Sequence, residues 1–198
     1  LIGYPDAVVL PRSRNLLADL SVLSRSGTAE QIRQYAAAGG TVLGLCEGFE
    51  MLGRSIIFFQ GLDNDDSEEL GALELLPIST ISTSETIERE RIVTANQPQS
   101  GLPVTGRELR RGFTQILDNK AVDSLFEDNK LGLVSQNRQI WGSYIPDLFD
   151  SGPWRRAWLN NLRNQRGLSS LPTGIPDYQE HREILIDNLA DHVAALSL

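Results

Sequence analysis

Gly44-Leu45-Cys46-Glu47-Gly48 has the form G-x-C-x-G, and it constrains this chain more than any other stretch. The apolar run Thr41-Val42-Leu43-Gly44-Leu45 enters it, and the helical spacing of Phe49, Met51 and Leu52 leaves it. The cysteine is therefore predicted where a strand turns into a helix. Small residues on both sides let the backbone turn sharply and present a side chain at the strand end, the thiol counterpart of a nucleophile elbow. Two chemical aids accompany that geometry: a following helix N-terminus lowers a thiol pKa, and the backbone amide of Glu47 can donate to an oxyanion. The bland alternative is a small buried residue in a tight crossing. The pattern alone leaves both open.

The rest of the chain reads as alternating strands and helices. Ala7-Val8-Val9-Leu10, closed by Pro11, fits a buried strand of a parallel sheet. Asn15 is placed to cap a helix carrying Leu16, Leu17, Leu20 and Leu23, and Thr28 with Gln31 reads as the capping box of a second helix that stops at Gly39-Gly40. Strand, helix, strand, helix in this order predicts an α/β sheet. The acidic stretch from Gly61 to Glu69, with Asp63, Asp65, Asp66, Glu68 and Glu69, reads as a solvated loop rather than a metal site. Ile78 to Ala95 is rich in strand formers, and Leu131 to Ile145 alternates around Gln136-Asn137-Arg138 as a hairpin would. Ser151 and Pro153 suit the cap and first position of a helix carrying Trp154, Ala157, Trp158 and Leu162, with a core role for both tryptophans. Gly167 to Pro176 is a loop, and a last helix bears Leu185, Leu189, Val193 and Leu196 on the face expected to pack on the sheet.

Composition removes several function classes. Eighteen Lys and Arg against 26 Asp and Glu give a net charge of −8, so no basic field offers itself to nucleic-acid phosphates or anionic lipid. The longest apolar run, Ile56-Ile57-Phe58-Phe59, is far shorter than the roughly 18 residues a spanning helix needs. With no basic-then-apolar signal region, a cytoplasmic location is expected. Cys46 is the single cysteine, and there are two histidines. Cysteine nucleophiles usually need a histidine beside them.

Several strings then carry a resemblance: Pro5 to Asn15, Val42 to Gly53, Gly142 to Asp150, Trp154-Arg155-Arg156-Ala157-Trp158-Leu159, and Asp187 to Val193. In this order and spacing they resemble the glutamine amidotransferase domain of cobyric acid synthase, over nearly the whole chain. The resemblance implies a class I amidotransferase-like α/β fold, with a mainly parallel central sheet flanked by helices and an added antiparallel hairpin. It implies one domain, residues 1–198, that begins near the family's second or third strand. In such domains a cysteine attacks the side-chain amide of glutamine, a histidine shuttles the proton, and ammonia passes to a synthetase that amidates a corrinoid. The implied partners are a synthetase domain or subunit and glutamine or a related small molecule. No metal or cofactor is expected here, since ATP and Mg would belong to the synthetase.

The departures from the family pattern all fall on the site. Where the family reads G-T-Y-L-H-G-L-F, this chain has Pro146 at the histidine position, and proline carries no proton. Around the nucleophile position, Cys46, the family reads G-I-C-G-G-Y-Q-M-L-G, so Glu47 replaces a glycine and Glu50 a glutamine associated with substrate contact. Two carboxylates there disfavour a thiolate. In the loop that supplies the second oxyanion donor the family has P-G-S-K-N; here Arg12 takes the glycine position, with a backbone angle expected to be difficult for it. The family's internal G-Y-E-I-H-M-G is represented by Gly112 to Leu117 without its histidine. His181 and His192 are expected on or beside the last helix in surface or structural roles. The expected function is a glutaminase domain with impaired catalysis; the alternative is a non-catalytic relative that binds a partner or small ligand. A cysteine hydrolase or redox thiol is weaker, because no histidine or second cysteine is placed to support one.

Overall fold

The computed structural model describes residues 3–59 and 67–196. It begins with β1 (Ala7–Leu10), α1 (Leu16–Arg25), α2 (Thr28–Ala37), β2 (Thr41–Leu45) and the short α3 (Glu47–Met51). Asn15 caps α1 as expected, its side chain accepting the Ala18 N–H at 3.1 Å. The capping box at Thr28 does not form: Gly27, with φ 74°, stands at the cap and Thr28 is already helical. Its hydroxyl bonds Ser26 instead, at 2.9 Å.

Next come β3 (Ser55–Phe59), β4 (Ser67–Gly71), β5 (Ile78–Ser82), β6 (Ile87–Thr94), β7 (Pro103–Arg110) and β8 (Phe113–Ile116). The expected acidic loop is corrected at its end, where Glu68 and Glu69 lie on β4 and pair with Phe58 and Ile57. Asp63, Asp65 and Asp66 lie outside the described residues. The chain continues through β9 (Val122–Ser124), β10 (Gly132–Ser135), β11 (Ile140–Ser143), a single 3-10 turn (Leu148–Asp150), α4 (Gly152–Gln165) and α5 (Tyr178–Leu196).

One sheet has the order β1-β2-β11-β10-β9, a second β4-β3-β5-β8, and β6 and β7 form a two-stranded ribbon. The first sheet is parallel through β1, β2 and β11, and turns antiparallel at the β10–β11 hairpin expected around Gln136-Asn137-Arg138. β1 is its edge strand, with Val9 44% exposed, so the expectation of full burial is wrong for that strand. The period-two alternation of a strand sends neighbours to opposite faces. Val42 and Ile140 enter one apolar cluster with Leu20, Ile32 and Ile56, while Leu43 and Trp141 enter the other with Val104, Trp154 and Trp158.

Ser151 stands at the start of α4 with Pro153 in its first turn, but its hydroxyl accepts the Thr105 N–H rather than a helix amide. The Asp177 carboxylate takes the Gly152 N–H at 2.6 Å. The largest correction concerns α5. Leu185, Leu189 and Val193 are each more than half exposed, so this helix does not pack on the sheet. Ile184, Leu185 and Ile186 are consecutive, so the apolar surface of the helix is spread around it instead of along one stripe.

Candidate functional site

Cys46 sits at the turn from β2 into α3 with φ 52° and ψ −114°, a backbone state that non-glycine residues rarely occupy. Hydrogen bonds hold it there: its N–H donates to the Ser143 carbonyl at 2.8 Å, and its own carbonyl accepts from Phe49 and Glu50 at 2.9 and 3.1 Å. The flanking glycines are required by close approach. A Cβ on Gly44 would strike the Gly48 carbonyl, and one on Gly48 would strike the Leu10 carbonyl. The G-x-C-x-G string thus closes the turn against its own helix and against the end of β1.

The thiol is 1% exposed and donates to the Tyr144 carbonyl at 3.9 Å. Burial and then the Glu47 carboxylate push it up to about 12; Arg12 opposes them, and Glu50 and Asp147 add to the rise. Cys46 is therefore a protonated thiol at neutral pH. This reverses the expected help from the following helix, because burial dominates and α3, only 5 residues long, adds the carboxyl groups of Glu47 and Glu50 in its first turn.

Glu50 is 4% exposed, and the Tyr144 hydroxyl donates to its Oε1 at 3.4 Å. That hydroxyl lies 2.5 Å from Thr114 Oγ1, which lies 2.8 Å from Thr80 Oγ1. Burial, with Glu47 adding to it, raises the Glu50 carboxyl to about 8, so it too keeps its proton at neutral pH. A protonated glutamic acid has nearly the shape and donor–acceptor pattern of glutamine. The Tyr144 ring meets Phe49 edge-on with centroids 5.1 Å apart, and the Arg110 guanidinium lies 5.9 Å from its centroid.

Pro146 follows Tyr144 and Ile145 where the chain leaves β11, two residues beyond the carbonyl that meets the thiol. Position 146 carries no titratable group. The neighbouring Asp147 is engaged by the Arg107 N–H at 2.9 Å and its Nε at 3.4 Å. His181 and His192 are both on α5 and exposed. Arg12 is not among the non-glycine residues with positive φ, so the expected backbone difficulty at its position does not arise. Glu47 accepts the Ser13 N–H at 3.2 Å.

A cleft of about 190 Å³ opens beside this corner, lined by Ser13, Asn15, Glu47, Glu50, Phe58 and Arg111 among others. A larger one of about 480 Å³ is lined chiefly by the acidic residues Glu90, Asp147, Asp150, Asp177 and Glu180. Cys46 lines neither. The smaller cleft is the relevant one, because Glu47 and Glu50, one and four residues after the cysteine, both line it. Among the described residues, no group of three or more His, Cys, Asp or Glu is placed to hold a metal ion. No described helix is long and apolar enough to cross a membrane.

Sequence reasoning gave Tyr144, Thr114, Thr80 and Arg111 no role. Gly112 to Leu117, noted for its missing histidine, becomes β8 and delivers Thr114 to the site.

Residues 2–154 match the family described as the CobB/CobQ-like glutamine amidotransferase domain. The chain is 50% identical to a cobyric acid synthase of Gloeothece citriformis, over 98% of this chain and 40% of that protein. It is likewise 50% identical to a cobyric acid synthase of Nostoc punctiforme, over 97% of this chain and 40% of the relative. The chain thus spans about two fifths of the length of these relatives. Among solved structures, a glutamine amidotransferase aligns with a TM-score of 0.58 at 12% identity, covering 80% of this chain and 79% of the other. That likeness shows the fold, a class I amidotransferase-like α/β architecture.

Proposed function

The chain belongs to the CobB/CobQ-like glutamine amidotransferase domain family, and from that membership we propose that it is a glutaminase-type domain with severely slowed hydrolysis. It acts in the cytoplasm beside a synthetase portion that uses ATP and Mg to amidate a corrinoid in cobalamin biosynthesis. One observation carries the reading: Cys46 stands at an elbow with φ 52° and ψ −114°, and two residues beyond the Tyr144 carbonyl that accepts its thiol the chain has Pro146, which carries no proton.

In the reaction such an elbow serves, the thiolate attacks the side-chain amide carbon of glutamine, the carbonyl oxygen becomes an oxyanion, and ammonia leaves with a delivered proton. Here the thiol begins protonated at neutral pH and Glu50 is protonated as well. Positioned acid–base help is worth about 10² to 10⁴ in rate, so its absence leaves slow turnover. The test is a glutaminase assay on the purified chain, with and without a candidate synthetase, beside Cys46→Ser and Pro146→His. Turnover should be barely above background and should rise at least tenfold in Pro146→His. Robust turnover in the parent, abolished in Cys46→Ser, would overturn the impairment.

A second reading is a non-catalytic role in binding a small ligand or partner protein. The cleft favours it, with the cation Arg111 and the carboxyl groups of Glu47 and Glu50 around one space. Calorimetric titration of Cys46→Ser with glutamine distinguishes the two functions of the cleft. Binding that survives Cys46→Ser while the parent shows no turnover supports ligand holding, and the absence of binding removes it.

A further inference from the structure

We propose that Glu47 is an internal plug: its carboxylate occupies the position beside Cys46 where a reaction oxyanion would be held, so that the site is closed by its own chain. The proposal rests on the reading of Cys46 as the nucleophile position. An oxyanion formed at a strand-end nucleophile is held by two N–H groups, one from the residue after the nucleophile and one from a neighbouring loop. The first is the N–H of Glu47, which as the opening residue of α3 has no carbonyl within the helix to donate to.

By the family resemblance, the second comes from the loop after β1. That loop is pressed against the elbow, since a Cβ on Gly48 would lie 2.9 Å from the Pro11 carbonyl oxygen and collide with that of Leu10. Ser13 is fixed in it: 7% exposed, its hydroxyl donates to Asp19 at 2.5 Å and accepts the Asn15 N–H at 3.0 Å. The backbone N–H of Ser13 donates to Glu47 Oε2 at 3.2 Å. A resident carboxylate on a backbone N–H is the charge and geometry of the oxyanion itself. An incoming carbonyl developing negative charge would have to displace it and would be repelled until it did. Glu47 also lines the small cleft, so the plug lies where a ligand would enter.

The test compares parent, Glu47→Gln and Glu47→Ala by two readouts. Labelling of Cys46 by a chloroketone analogue of glutamine passes through a tetrahedral oxyanion, whereas alkylation by iodoacetamide does not. In Glu47→Ala the ratio of the chloroketone rate to the iodoacetamide rate should rise about 100-fold, the lower end of what one oxyanion donor is worth. An equal acceleration of both reagents would mean that only charge was removed, and would overturn the plug. The second readout is the Ser13 amide proton in the ¹⁵N-labelled folded chain. Its resonance should lie downfield in the parent, where the Glu47 side chain accepts it, and should move upfield in Glu47→Ala. A Ser13 amide that ignores Glu47 overturns the plug while leaving Cys46 untouched as nucleophile. A responsive Ser13 amide with Cys46 inert to the chloroketone in every variant, Pro146→His included, overturns the nucleophile reading and the plug that depends on it.

Discussion

At Glu50 a buried carboxyl keeps a proton that the unfolded chain would release. Its folded pKa is raised from 4.5 to about 8, first by burial and then by Glu47. The folded state therefore holds more protons between those values, and stability from this group, full below the ordinary carboxyl range, is lost as pH rises through about 8. Glu50→Gln keeps the shape without the ionisation. It should match the parent near pH 4 and exceed it at pH 9 by on the order of a few kcal/mol. Urea unfolding at the two pH values measures this, and a gap that fails to widen excludes the protonated Glu50. Cys46 was readable from sequence because strand, glycines and helix are neighbours in the chain. The Glu50–Tyr144–Thr114–Thr80 chain was not, because its successive links join residues 94, 30 and 34 positions apart.

Among the elements, the β6–β7 ribbon depends on a charge that no local pattern announces. Glu108 on β7 is fully buried and receives the Nε donors of Arg89 and Arg91 at 2.7 Å and of Arg110 at 2.8 Å. Burial alone would push its carboxyl up, but the hydrogen bonds from Arg89, Arg110 and Arg91 outweigh it and bring the group down to about 2. The stability it contributes is full above the ordinary carboxyl range and is lost as pH falls towards about 2. Glu108→Ala strands the arginines and should cost about 3–5 kcal/mol, measured by denaturant unfolding at pH 7. A cost under about 1 kcal/mol would show the cluster to be a solvated surface group. Arg110 also lies over the Tyr144 ring, so the same variant should disturb the site. α5 behaves oppositely. With Leu189 65% exposed, Leu189→Gln should change stability by less than about 0.5 kcal/mol, whereas a helix packed as its sequence suggested would lose several.

Across the whole molecule, both apolar clusters lie against one five-stranded sheet, and adjacent residues of β2 and β11 feed opposite clusters. Neither can be lost while the other keeps its sheet. The three tryptophans, Trp141, Trp154 and Trp158, all belong to one of the two clusters. Tryptophan fluorescence and far-ultraviolet circular dichroism should therefore give coincident unfolding midpoints, and a fluorescence transition that precedes the other would show that the clusters separate. By itself the sequence determined the strand–helix alternation of its first half and the elbow at Cys46. Each depends on residues within one turn or on residue identity. Tertiary structure alone decided that β1 is an edge, that α5 stands away from the sheet, that Cys46 and Glu50 keep their protons, and that Glu47 meets Ser13. Burial and charge pairing depend on which distant segments come together, and local spacing carries no record of that.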